Sequence, residues 1–262
     1  MKHLLLLLIL CITSQAQALP QASELFHARS KILGINYPQG LPLDVVPQTW
    51  LQVQPPSQNQ LPSFVSTAAG ASEKVKLGQD FLFMQSLRGG SASRLHSQVF
   101  GALDGKTYLA FMEQRVASLS PFDCWGNAAA LGCAVHKYVF LTENYFRRNI
   151  PQVVRVSILL HESRHAESSA GWPHATCPEP FLDKDGHDIV APITQTPLAG
   201  KDACDTEALG AYGVGVIMLK NIEKNCSSCN GKIKLDAALF AEDGFGRIID
   251  RQALETLRED LK

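Results

Sequence analysis

The chain has no excess charge of either sign. Its 24 lysines and arginines stand against 25 aspartates and glutamates, a formal net charge of −1 at pH 7 over 262 residues. A balance of that kind provides no basic stripe for a polyanion, so nucleic-acid recognition is not expected. Long apolar runs are missing too. A bilayer span needs roughly 20 apolar residues, and the one extended run, Leu4 to Ile12, falls well short, so no stable membrane anchor is expected. No internal repeat is visible.

The N-terminus is informative in what it does contain. Met1-Lys2-His3 precedes the apolar run, polar Thr13 to Gln17 follows it, and Ala16 and Ala18 are spaced as a cleavage site. Residues 1–18 therefore read as a secretory signal peptide cut after Ala18, and the mature protein as secreted or periplasmic. Leu10 is bulky where a lipid-modified cysteine at position 11 would want a small neighbour, which argues against a lipoprotein. Six cysteines remain after Cys11, an even number that in an exported chain favours disulfides. Sequence proximity pairs Cys124 with Cys133, Cys177 with Cys204, and Cys226 with Cys229. The last pair could form half a zinc site, but no second Cys pair of matching spacing exists, and Asn230-Gly231 beside it reads as a tight turn.

Residues 19–72 are rich in Pro, Gln and Ser and read as an extended arm or linker, leaving residues 73–262 as the folded domain. Phe81 to Met84 is expected as a strand or short helix. Lys106 to Leu119 has helical apolar spacing through Leu109, Met112, Val116 and Leu119. Val135 to Tyr145 reads as a strand with Val139, Leu141 and Tyr145 on one face. Pro151 suits a helix start, and the apolar residues from Val153 to Leu160 make the following helix buried nearly all round. A Pro-rich loop of about thirty residues then leads to Asp205, a good N-cap for a second helix from Thr206 to Ile222, whose small residues Ala208, Ala211 and Gly215 permit close helix approach. Asp250 caps a terminal helix with Leu254, Leu257 and Leu261 as its apolar stripe.

The buried helix ends in His161-Glu162-Ser163-Arg164-His165. Positions i and i+4 share a face, so both imidazoles can hold one metal ion with Glu162 beside it as general base. An apolar helix rarely tolerates two imidazoles and a carboxylate one turn apart unless a cation satisfies them, and imidazole nitrogens with an open fourth position suit zinc. Arg164 and Glu167 lie off that face and are expected as surface charges. The carboxylates from Asp183 to Asp188 read as a solvated turn rather than a calcium loop, which they lack in full.

Over Val153 to His165 the sequence resembles the zincin-type zinc metallopeptidases. The resemblance implies that His161 and His165 ligate zinc and that Glu162 takes the proton of a zinc-activated water. It leaves the third ligand open. The metzincin pattern would have a Gly at position 168 and a His at position 171; here Gly171-Trp172-Pro173-His174 carries the Gly-x-x-His ending three residues later, offering His174. The gluzincin pattern points to Glu207. The aspzincin pattern points to Asp205, with Tyr212-Gly213 downstream. A Cys177–Cys204 disulfide would gather His174, Asp205 and Glu207 near one point. Tyr212 is a candidate for stabilising an oxyanion.

These readings converge on an α+β, zincin-like, disulfide-stabilised domain in which a small sheet packs on the buried motif helix with a second helix beneath. Tyr138 to Asn144 is the candidate strand for pairing with an extended substrate. The expected function is hydrolysis of peptide or peptidoglycan-type amide bonds with Zn2+ as cofactor, using Glu162 and Tyr212 for catalysis and His161, His165, His174 and Asp205 as candidate ligands. The alternative is an exported metal-binding or cell-surface interaction protein of the same fold without turnover. That alternative requires both His174 and Asp205 on the ion and no open position.

Overall fold

The computed structural model describes residues 61–125, 130–167 and 171–262. The expected signal peptide, and the expected arm as far as residue 60, lie outside the described residues, as do positions 168–170. Among the described residues no helix is long and apolar enough to cross a membrane.

The body begins earlier than residue 73. Phe64 and Ala69 are buried, and the Phe64 ring meets Phe81 edge-on at 5.8 Å between centroids. Val65 bridges Leu119 in parallel. Residues 61–72 therefore belong to the folded body, because an aromatic anchor outweighs the Pro-Ser composition around it. Helix α1 (Ala71–Ser86) follows, opened by the Glu73 carboxylate, which accepts from the Gly70 N–H at 2.7 Å. Leu77, Phe81 and Met84 recur at helical spacing on its buried side, which places Phe81 to Met84 in a helix.

Two shorter helices come next, α2 (Arg94–Val99) and α3 (Gly105–Glu113), each with a side-chain N-cap, Ser93 and Asp104. The expected helix to Leu119 stops at Glu113. Beyond it Ser118–Pro121 is captured as strand β1, so that tertiary pairing overrides the helical spacing. Strands β2 (Gly132–Val135) and β3 (Tyr138–Leu141) complete a sheet of order β1-β3-β2, with β3 parallel to β1 and antiparallel to β2. The expected strand from Val135 to Tyr145 is thus broken twice. His136 turns the chain at φ 52°, and Thr142 begins the short helix α4 (Glu143–Arg147). Val139, Leu141 and Tyr145 are all fully buried as expected, the last from a helix.

The central helix α5 (Gln152–His165) starts directly after Pro151 and is buried on most sides. Arg155 anchors it from behind: its guanidinium lies 2.7 Å from Asp80 of α1, whose carboxylate also accepts from Tyr145 Oη at 2.7 Å. A carboxylate and a guanidinium are tolerated at this depth where each pairs with the other. Helix α6 (Ala211–Asn225) lies on α5 at Gly215, where a Cβ would come 3.0 Å from Ser157 Oγ, so the small residue does permit close approach. Helix α7 (Gly231–Phe245) packs on α6, and α8 (Arg251–Asp260) is capped by Asp250 with Leu257 and Leu261 buried as expected. Asn230 caps α7 by accepting from Ile233 N–H at 2.9 Å; Asn230-Gly231, read from the sequence as a tight turn, opens a helix.

The segment between α5 and α6 carries two short strands, β4 (Ala175–Thr176) and β5 (Asp202–Cys204), paired antiparallel. It has a small core of its own around Cys177, Phe181, Leu198 and Cys204. All three expected disulfides are present: Cys124–Cys133, Cys177–Cys204 and Cys226–Cys229. The architecture is a mixed α+β body with small sheets, stapled by three bridges that suit an oxidising environment.

Candidate metal centre

The last turn of α5 presents His161 and His165 one above the other. The chain then turns back through Gly171 at φ 65° and Trp172 at φ 33°, which brings His174 against both. The three Nε2 atoms form a near-equilateral triangle, with His161 to His174 at 3.2 Å, His161 to His165 at 3.2 Å and His165 to His174 at 3.1 Å. They are the one group of three close potential ligands among the described residues.

The outer nitrogens decide what that triangle means. His165 Nδ1 lies 2.7 Å from the Trp172 carbonyl oxygen, and His174 Nδ1 lies 2.8 Å from Asp205 Oδ1. Both partners only accept, so both Nδ1 atoms carry the proton. Burial holds the His161 pKa well below its ordinary value and lowers that of His165 to about 4, which keeps these rings neutral near pH 7. The bare Nε2 of His165 therefore lies 3.1 Å from Nε2 of His174, and a cation among the three rings would satisfy the nitrogens that converge there. A tetrahedral ion bonded to nitrogen at roughly 2.0–2.1 Å separates its ligand atoms by about 3.3–3.4 Å. The observed spacings correspond to ligand–metal–ligand angles of about 100°, so the triad fits a three-histidine site with a further position open.

His174 thus joins His161 and His165, and Asp205 does not. Its Oδ1 is engaged by His174, while Oδ2 accepts from the Tyr212 N–H at 2.7 Å. Asp205 still caps the second helix, but from outside it: α6 begins at Ala211, not Thr206, and Gly210 is small enough for the carboxylate to close on the helix start, where a Cβ would lie 2.4 Å from Oδ2. The carboxylate is nearly inaccessible and fixes the tautomer of His174 beside it. Glu207 is exposed on the same turn and stands outside the triad. The Cys177–Cys204 bridge, with Cα atoms 5.2 Å apart, does gather His174 and Asp205 from opposite strands.

Glu162 is 5% exposed, and its Oε2 has no hydrogen-bond partner. Desolvation raises its pKa to about 8. The carboxyl lies against the backbone of β2, where a Cβ on Gly132 would fall 2.9 Å from Oε1. The sheet contributes to the centre through β2, its edge strand. The expected pairing strand, Tyr138 to Asn144, is instead the central β3 and then α4, so its backbone is already paired on both sides. Among the described residues nothing pairs with the outer edge of β2.

Tyr212 packs on the triad. Its ring stacks on His174 at 4.8 Å and meets His161 edge-on at 4.6 Å. Arg247, which the sequence reading does not single out, donates from Nη1 to Tyr212 Oη at 2.5 Å and lies over the ring. Asp243 stands 3.4 Å from Arg247 Nε. Because a guanidinium can only donate, the Tyr212 hydroxyl proton is left to point elsewhere. Arg164 also departs from expectation. It is 8% exposed, stacked on Trp172 at 3.9 Å and bonded to the Leu209 carbonyl, not a surface charge. Asp183, by contrast, closes a turn as expected, accepting from the N–H groups of Asp185 and His187.

No protein-family model matches the chain, and comparison with curated proteins and with solved structures finds no significant relative, so its chemistry rests on the geometry of this centre.

Proposed function

We propose that the chain is a zinc-dependent hydrolase of amide bonds, with His161, His165 and His174 as the ligands and Glu162 as the general base. One observation carries the proposal: three imidazole Nε2 atoms converge on a point beside a buried carboxylate whose Oε2 has no partner. Zinc bound there would supply Lewis acidity, acidifying a water molecule and polarising the scissile carbonyl.

The chain's own residues do the rest. Glu162 accepts the proton of the attacking water and returns it to the leaving nitrogen. Burial raises its proton affinity, which suits a base that must also serve as acid, and a divalent charge nearby would act in the opposite direction. Tyr212 donates its free hydroxyl proton to the oxygen that gains charge in the transition state, with Arg247 holding it in that role. Gly132 and Ala134 present unpaired edge backbone of β2 to an extended peptide, which fits a polypeptide or peptidoglycan-type peptide substrate. The non-catalytic alternative calls for Asp205 on the ion, and both of its oxygens are committed elsewhere.

Elemental analysis of folded, unchelated protein should find about one zinc per chain. Glu162→Gln should keep that metal and lose release of free amines from a pool of peptides and muropeptides, by about a hundredfold or more. Protein that folds without taking up metal would end the proposal.

A further inference from the structure

We infer that Arg164 is a positioning residue for the metal centre, strapping together the two loops that hold the histidine ligands in their metal-binding tautomers. The inference rests on the metal-binding reading above and extends it to a residue that touches neither ion nor substrate.

Arg164 lies three residues after His161 on α5, directed away from the triad, where solvent would ordinarily claim it. It is buried instead, and a buried guanidinium needs partners. Glu167, on the next turn, neutralises it. The other two contacts reach across the fold. The guanidinium plane lies 3.9 Å over the Trp172 ring, and Nε donates to the Leu209 carbonyl at 2.9 Å.

Those two contacts fall on the two supports of the triad. Trp172 is the residue whose carbonyl takes the His165 Nδ1 proton at 2.7 Å. Its backbone is held at φ 33°, a left-handed conformation that a bulky residue keeps only where the surroundings enforce it. Leu209 belongs to the turn between Asp205 and Gly210, and Asp205 takes the His174 Nδ1 proton. One cation thus ties the acceptor of one ligand to the acceptor of another. Only a planar group can stack on an indole and donate in its own plane to a carbonyl at the same time, which makes lysine a poor substitute.

The test measures zinc affinity of the full chain by competition with a chromogenic chelator, together with the visible spectrum of the cobalt-loaded protein. Arg164→Met and Trp172→Ala should each weaken zinc by about 10- to 100-fold, the usual cost of losing a partner that orients a ligand. The double variant should be no weaker than the worse single one, since Arg164→Met already removes the contact that Trp172→Ala removes. Trp172→Phe, which keeps an aromatic face, should stay within about threefold of wild type, and Arg164→Lys should recover only part of the loss. Cobalt spectra should shift in the two weak variants and not in Trp172→Phe.

Zinc affinity unchanged in folded Arg164→Met overturns the inference. So does full additivity of the two substitutions, which would mean that Arg164 does not act through Trp172. Should Arg164→Met fail to fold, Trp172→Ala decides alone, because Trp172 sits on a loop outside the core. Wild-type protein without zinc affinity would remove the metal-binding reading itself, a result distinct from any of these.

Discussion

Replacing Asp205 by asparagine separates two tasks that one carboxylate performs. Oδ1 takes the His174 Nδ1 proton and Oδ2 takes the Tyr212 N–H. Asparagine has one acceptor where aspartate has two, so one task must fail. If its oxygen keeps the helix start, its amide N–H2 faces His174 and drives that ring to the other tautomer, placing a proton on the nitrogen that should bind metal. If its oxygen keeps His174, two donors face each other in a buried site, at a cost of about 1–3 kcal/mol. The apo protein adopts the first arrangement and zinc must enforce the second. Affinity should therefore fall by roughly 5- to 150-fold, at 1.4 kcal/mol for each factor of ten. Asp205→Ala differs in kind. It forces no tautomer but abandons the helix start, and should cost the apo fold about 0.5–2 kcal/mol that asparagine spares. Chelator competition gives the first quantity, and urea unfolding in the presence of EDTA gives the second. Zinc binding by Asp205→Asn within about threefold of wild type would refute the tautomer reasoning.

Zinc should raise the thermal midpoint: at free metal a thousandfold above Kd the gain is about 4 kcal/mol, or roughly 8–16 °C for a domain of this size, and a midpoint indifferent to zinc would contradict the triad's role. Gly132→Ala places a methyl group 2.9 Å from the Glu162 carboxyl, so it should retain metal yet lose about tenfold or more in hydrolysis; unaltered turnover would mean that Glu162 tolerates displacement. His96, outside the triad, is buried with its ring bonded to Tyr108 Oη at 2.7 Å, and burial lowers its pKa to about 4. The unfolded chain takes up that proton near pH 6.5, so between the two values it binds more protons than the folded one, and stability falls as pH drops, by about 3 kcal/mol at pH 4. Urea unfolding of EDTA-treated protein at pH 7 and pH 4.5 should show a smaller difference in His96→Gln than in wild type, and equal differences would assign the acid sensitivity elsewhere.

The disulfides are legible in the sequence because nearness along the chain and an even count leave little competition, and all three pairs form. His174 is legible through the displaced Gly171-x-x-His174 ending. What sequence does not disclose is which charges are buried. Arg164 looks like a solvated helix residue until Trp172 folds over it, and Arg247, beyond its pairing with Asp243 four positions earlier, carries no local sign of its contact with Tyr212, 35 positions earlier. Asp205 reads equally well as cap or ligand, and only the closing distance of Gly210 and the position of His174 choose. Strand lengths are overestimated where β-branched and aromatic residues continue past a turn, as at His136 and Thr142. Helix α7 does carry helical spacing in Ile233, Ala237 and Phe240, and the preceding Asn230 signals its start, but buried Asp236 and Asp243 dilute the pattern.

The Cys177–Cys204 bridge would tie assembly of a three-histidine centre to oxidation. Before it closes, the chain offers a metal only the paired imidazoles of one helical turn, a bidentate grip, while His174 and its carboxylate partner sit near cysteines 27 positions apart on a long loop. Closing that loop raises the local concentration of the third imidazole around the other two and orients it at the same time. A bidentate grip discriminates little among divalent ions, whereas three imidazoles at fixed angles favour a tetrahedral one. The choice of metal would then fall to whichever compartment forms the bridge, and ions met earlier by the reduced chain would be held too loosely to stay.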